Sequence, residues 1–259
     1  MHLTKVSAVR HALTKVPQVT MLFWITKILT TGMGETTSDY MVRRFDPILA
    51  VTIGGAGLAV AMLLQLAARR YHAWTYWLAV ATVSVFGTMA ADGVHAELGV
   101  PYVVSTIVWA LMLTVIFVVW RRTEATLSIH SIHTRRRELF YWATVLVTFA
   151  LGTAAGDMTA TTLHLGYLAS GMLFTAVIAI PAMARVLPGM NAVLAFWFAY
   201  VVTRPVGASF ADWVGVSRLR GGLDLGTGPV SLVLLAVIVV LVGAMMVTRE
   251  GSVEERAAA

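Results

Sequence analysis

Four tryptophans in this chain share one register. Phe23-Trp24 is followed by Gly34 and Asp39, and Tyr76-Trp77 by Gly87 and Asp92. Tyr141-Trp142 is followed by Gly152 and Asp157, and Phe196-Trp197 by Gly207 and Asp212. Each glycine stands ten positions after its tryptophan and each aspartate fifteen. Four of the six aspartates and four of the eight tryptophans fall into the pattern. Chance does not place scarce residues that way, so the chain reads as a fourfold duplication. Whatever it folds into is built from four copies of one unit.

The copies lie in apolar surroundings. Of 259 residues, 58% are hydrophobic and 12% charged, about half the charged share of an ordinary soluble domain. Runs of about 20 apolar residues recur, each enough to cross a bilayer as a helix. The pattern predicts an all-α polytopic membrane protein. Its eight spans fall near 18–40, 47–68, 74–96, 101–120, 139–162, 165–184, 191–213 and 229–247. Each repeat pairs a long, polar-marked helix with a plain apolar one. The repeats run 18–68, 74–120, 139–184 and 191–247 inside one membrane domain, 18–248. An even number of spans per repeat keeps all copies pointing the same way, related by a fourfold or twofold axis along the membrane normal. Pro47, Pro101 and Pro229 open spans, where the missing N–H costs no helical bond. Pro205 lies inside the seventh span and is expected to bend it.

Charge sets the orientation. With the N-terminus inside, thirteen Lys and Arg fall in inner segments and four, Arg43, Arg44, Arg218 and Arg220, in outer loops. This asymmetry places both termini in the cytoplasm. Residues 1–17 form a cytoplasmic segment, expected as a short interfacial helix, and 249–259 a cytoplasmic tail. The net charge of +6 thus belongs to membrane topology, and no nucleic-acid partner is expected. His130 and His133 fall in a basic inner loop, read as solvated rather than metal-binding. The stretch RLRGGLDLGTGP lacks the Lys-Ser/Thr of a phosphate loop and reads as a flexible outer loop. Without cysteine there is no disulfide or thiolate chemistry. Zincin and Gly-x-Ser-x-Gly signatures are absent as well, so an enzyme is not expected.

Helix geometry places the repeated residues in depth. Fifteen residues at about 1.5 Å each put the aspartate roughly 22 Å from its tryptophan. If the Phe/Tyr-Trp pairs form an aromatic belt at the inner interface, the aspartates stand in the outer half of a core about 30 Å thick. The glycines fall near the midplane, where they let helices approach closely. Positions three, seven, eleven and fifteen after the tryptophan form one stripe. It reads Lys27, Thr31, Glu35, Asp39 in the first copy and Val80, Ser84, Thr88, Asp92 in the second. The third reads Val145, Phe149, Thr153, Asp157 and the fourth Tyr200, Arg204, Ala208, Asp212. An aspartate in hydrocarbon costs about 2.5–3.5 kcal/mol on insertion scales, so the stripes are expected to face one another.

The predicted site is therefore a ring of acids: Glu35, Asp39, Asp92, Asp157 and Asp212, set against Lys27 and Arg204. Like charges at close range must protonate or bind a cation. Carboxylates suit a hard divalent cation such as Mn²⁺, Mg²⁺ or Ca²⁺. The metal ligands would be Asp39, Asp92, Asp157 and Asp212, with Thr30, Thr88, Thr153 and His95 as possible additional donors. Lys27 and Arg204 would act in coupling or as counter-charges, or simply as buried structural partners. An aspartate at a helix end can also be an interfacial anchor, and His95 and His164 interfacial histidines. The residues point to a secondary transporter of a Mn²⁺-like cation, coupled to protons. The alternative is a structural or assembly membrane protein whose polar ring only holds helices together. Beyond the lipid bilayer and the transported cation, no partner or resident cofactor is implied.

The strings KVPQVTMLFWITKILTTGMGETTSDY, FALGTAAGDMTA and FWFAYVVTRPVGASFADW resemble a family of uncharacterised bacterial membrane-anchored proteins, over nearly the whole chain. That resemblance implies an integral membrane protein and no particular activity. GETTSDY and GTAAGDMTA are also similar, more distantly, to the Glu-x-Gly-Asp-Lys/Arg-Ser/Thr repeats of cation exporters. They depart from them in having Ser38 before Asp39, no lysine after it, and Ala154 in place of the glutamate.

Overall fold

The computed structural model describes residues 14–184 and 191–258. The helix expected before residue 14 and the inner charge at Arg185 lie outside the described residues. The described chain is all helical. Its long helices are α1 (Met21–Arg44), α2 (Pro47–Ala67), α3 (Ala73–Ala96), α4 (Tyr102–Glu124), α5 (Arg135–Asp157), α6 (Gly166–Ala184), α7 (Ala192–Gly215) and α8 (Thr227–Ala258). Six of them, α2, α3, α4, α5, α7 and α8 as far as Val247, are long and apolar enough to cross a membrane. A shorter apolar helix, Gly166–Ile180, lies within α6. Helix α1 falls below that mark because Lys27, Glu35, Asp39, Arg43 and Arg44 lower its hydropathy; the first two of these are buried.

The ends follow local chemistry. Thr20, Asp46, Thr134 and Asn191 accept backbone N–H bonds at the starts of α1, α2, α5 and α7, satisfying donors that have no helical partner. Pro47 opens α2 behind its Asp46 cap as expected. Pro101 differs from expectation: it stands at the cap of α4, just outside the helix. Helix α1 runs a full turn beyond the expected end, so Asp39 sits within the helix. Past Asp157, α5 widens into a π-helical turn, Met158–Thr162.

The long helix of each repeat lies at the centre. Helix α1 packs on α3 and α7, and α5 packs on the same two, so the four close a ring. Each second helix leans chiefly on the long helix of the next repeat: α2 on α3, α4 on α5, α6 on α7, and α8 back on α1. Burial follows this division. The apolar windows of α3, α5 and α7 are 50%, 67% and 61% buried, against 11%, 17% and 11% for α2, α4 and α8. The apolar faces that α2, α4 and α8 leave uncovered are what a hydrocarbon solvent would cover.

The register recurs in the contacts themselves. A side chain added at Gly34 would strike Ser84, at Gly87 Phe149, at Gly152 Arg204, and at Gly207 Thr31. Each glycine ten residues after a tryptophan thus meets the residue seven after the next tryptophan, and the fourth meets the first. Only glycine allows backbones this close. The aromatic pairs behave alike: Phe23 touches Trp77, Tyr76 touches Trp142, Tyr141 touches Trp197, and Phe196 touches Trp24. This corrects the expectation of an aromatic belt facing headgroups. Trp77, Trp142 and Trp197 are buried, and the eight rings form a closed girdle inside the bundle. These inter-helix pairs are tilted, with ring centres 5.6–6.1 Å apart, inside the range where aromatic rings attract one another.

Candidate functional site

The stripes face inward. Every stripe residue three, seven and eleven positions after its tryptophan is buried, from Lys27 and Arg204 at 0% exposed to Glu35 at 3%. They stack into three layers between the aromatic girdle and the aspartates.

The middle of this stack is an ion pair. An Arg204 Nη2 hydrogen donates to Glu35 Oε2 at 2.5 Å. The same nitrogen contacts the Thr88 hydroxyl and lies 2.6 Å from Thr153 Oγ1, and Nη1 donates to the Thr31 carbonyl at 3.1 Å. One guanidinium from α7 therefore reaches α1, α3 and α5. Thr88 also donates to Glu35 at 3.3 Å. A buried charge pair repays its lost hydration only with such extra hydrogen bonds.

Below it, toward the girdle, lies Lys27. Its ammonium is fully buried, with Nζ 4.2 Å from the Phe149 ring centre and 4.4 Å from that of Tyr200. It has no hydrogen-bond partner among the described residues. Arg204 stands against a carboxylate and Lys27 does not.

Above the pair come the aspartates. Among the described residues, Glu35, Asp39 and Asp92 each bring a carboxylate oxygen within 4.8 Å of the other two. Bonds of about 2.0–2.6 Å to a hard divalent cation span separations of that size. Asp157 and Asp212, expected as ligands beside Asp39 and Asp92, fall outside that close group among the described residues, though Asp212 feels the charges of all four other acids. Asp212 is buried, and the other three aspartates are half-buried. Asp39 also pairs with Arg43 one turn on, at 2.5 Å.

The accessory ligands divide. Thr88 and Thr153 face Glu35. Thr30 does not join them, for its hydroxyl donates to the Thr26 carbonyl. His95 is turned away as well: Nδ1 lies 2.8 Å from the Val100 carbonyl oxygen and the ring stacks on Tyr102. Of the nitrogens offered by His95, one is thereby occupied in closing the α3–α4 turn.

Three features carried little signal in the sequence. In the loop between α7 and α8, Arg220 donates to the Tyr167 hydroxyl at 2.7 Å and feels the charges of Asp39 and Asp212. Burial alone would pull its guanidinium pKa down; the Tyr167 hydroxyl and the two aspartates outweigh it and leave it raised. The loop read as merely flexible thus ties a cation to Tyr167 within reach of the acids' field. At the opposite end, Lys15 pairs with buried Glu138 at 2.6 Å, and Gln65 donates to the same carboxylate. The third feature is the pair of Tyr76 and Tyr141 hydroxyls, 2.5 Å apart, beside Tyr200.

Comparison with known proteins bears on the repeat and not on the chemistry. The family model described as Repeat of Unknown Function (DUF347) matches four times, at residues 22–71, 75–126, 140–189 and 195–250. These are the four units marked by the Trp-Gly-Asp register. No curated protein and no solved structure matches the chain.

Proposed function

We propose a function on the premise that the chain belongs to the Repeat of Unknown Function (DUF347) family, a membership that leaves the activity to be argued from the site. The chain is a secondary transporter of a hard divalent cation, Mn²⁺-like, in a bacterial inner membrane. Eight spans surround a pseudo-fourfold axis, with both termini in the cytoplasm. Asp39, Asp92, Asp157, Asp212 and Glu35 bind the cation, and Arg204 neutralises Glu35 when it is absent. The observation that carries this reading is the three-carboxylate group within 4.8 Å, placed directly above a guanidinium that already occupies a cation's position. The girdle beneath closes the other end, as alternating access requires of one face at a time. The divergence of the copies supports it too. A static symmetric pore needs no unique lysine or arginine.

The test is Mn²⁺ flux in proteoliposomes of the full chain. Asp39→Asn and Asp157→Asn should each reduce flux at least tenfold while the protein stays folded. Unchanged flux removes the reading.

One observation favours a second, structural role. Arg204 ties four helices together through Glu35, Thr88, Thr153 and the Thr31 carbonyl. If the polar core only holds helices, the same Asn variants will shift the melting temperature and no ion will move.

A further inference from the structure

We propose that Lys27 is the proton carrier of this transporter, losing its proton when the cation binds above and regaining it when the cation leaves. The inference rests on the transport reading and adds the identity of the coupling group. It starts from a mismatch of donors and acceptors. A charged Lys27 presents three N–H donors, and among the described residues none finds an acceptor. Two aromatic faces flank it instead, and cation–π contact compensates only part of a buried ammonium's lost hydration. Both Lys27 and Arg204 contact the Phe149 ring, and the two cations repel each other. The charged form is tolerated only while Glu35 holds Arg204 upward.

The groups facing Lys27 settle where its proton can go. From α7 they are Arg204 and Tyr200; behind Tyr200 stand Tyr141 of α5 and Tyr76 of α3. Glu35 lies two turns up the same helix and is taken by Arg204. Helix α8, which packs on α1, carries no titratable side chain over 227–247. A divalent cation on Glu35, Asp39 and Asp92 competes with Arg204 for Glu35 and repels the guanidinium. Two unpaired cations then share one apolar chamber, and only the lysine can discharge, since arginine keeps its proton. The proton leaves Nζ for water, and Tyr200, whose ring flanks Nζ and whose hydroxyl stands beside the Tyr141–Tyr76 pair, is the group placed to relay it. One proton leaves the amine and one returns per cycle, and no bond other than N–H and O–H is made or broken.

The experiment uses proteoliposomes of the full chain loaded with a pH dye, measuring Mn²⁺ uptake and internal pH together. Wild-type vesicles should move protons against Mn²⁺. Lys27→Met, which fills the same aromatic cage without a titratable group, should pass Mn²⁺ down its own gradient within about threefold of wild type. It should lose the proton signal at least tenfold. If Lys27→Met does not fold, Tyr200→Phe keeps the ring and removes the relaying hydroxyl, and should slow proton movement more than tenfold. A wild-type ratio of protons to Mn²⁺ in the folded variant overturns the carrier role alone. Wild-type vesicles that pass no Mn²⁺ under any gradient overturn the transport reading, and the carrier role with it.

Discussion

The two ends of the central helices obey the same register and behave in opposite ways. At the tryptophan end, four copies of one aromatic pair pack ring against ring and seal the bundle. At the aspartate end, four copies of one acid are brought together without an equal number of cations; Arg43 and Arg220 are the charges set against them. Duplication multiplies whatever a residue does to its own kind. Apolar rings attract their copies, whereas carboxylates repel theirs. A repeated unit with an aromatic at one end and an acid at the other thus yields a packed plug and a crowded acidic mouth. Between them the copies have diverged, and there the residues are Lys27, Glu35, Phe149 and Arg204.

The sharpest way to break that comparison is at the divergent middle. Arg204→Met should cost about 3–5 kcal/mol, because it leaves Glu35 buried and unpaired. Adding Glu35→Gln should recover most of the loss, since two neutral groups of similar volume remain. Thermal unfolding in detergent measures both. Equal losses in the single and double variants would mean that packing, and not the ion pair, joins plug to mouth.

How much of this was readable beforehand depends on how unusual each residue is in its setting. An aspartate in an apolar run is costly, and four at one spacing exposed the acid layer and the inward stripe. Glu35 and Arg204 stood out for the same reason. Phe149 and Tyr200 lie on that stripe too, yet an aromatic residue in a membrane helix is ordinary, so the cage around Lys27 gave no warning. The Phe/Tyr-Trp pairs misled because interfacial tryptophan is the common case, and composition does not tell a headgroup from a neighbouring ring. Glu138 hid in the RRRE of a loop that reads as solvated. Arg220 depended on how a loop folds back, which no helical period encodes. The repeat fixed which helices are equivalent. It did not tell that each second helix would cover the next repeat rather than its own.

The close glycine contacts offer a smaller effect with a built-in control. Gly207→Ala brings a Cβ within 2.5 Å of the Ile28 carbonyl oxygen and onto the Thr31 side chain. Overpacking of this kind costs roughly 1–3 kcal/mol. Gly57 on α2 has nothing within 4 Å of such a Cβ, so Gly57→Ala should gain about 1 kcal/mol from helix propensity alone. Melting temperatures that move in opposite directions would locate the helix ring at these contacts. A Gly207→Ala protein as stable as wild type would mean that α1 and α7 can separate without loss, and the plug alone would then hold the bundle closed.

The smallest stability effect should come from the mouth. Arg43 reaches Asp39 from one turn away, with half of its side chain exposed, and exposed pairs of this spacing contribute roughly 0.3–0.5 kcal/mol. Arg43→Ala should therefore leave the melting temperature nearly unchanged. Its consequence lies in binding: Asp39 loses a competing cation, so Mn²⁺ should bind more tightly, about two- to threefold, with the difference shrinking as salt screens the exposed charge. Isothermal titration at two ionic strengths separates the cases. An Arg43→Ala protein that binds Mn²⁺ more weakly would show that the pair orients Asp39 for the ion. The mouth would then be an assembled site, ordered by its own arginine, and repulsion among copied acids would not suffice to explain it.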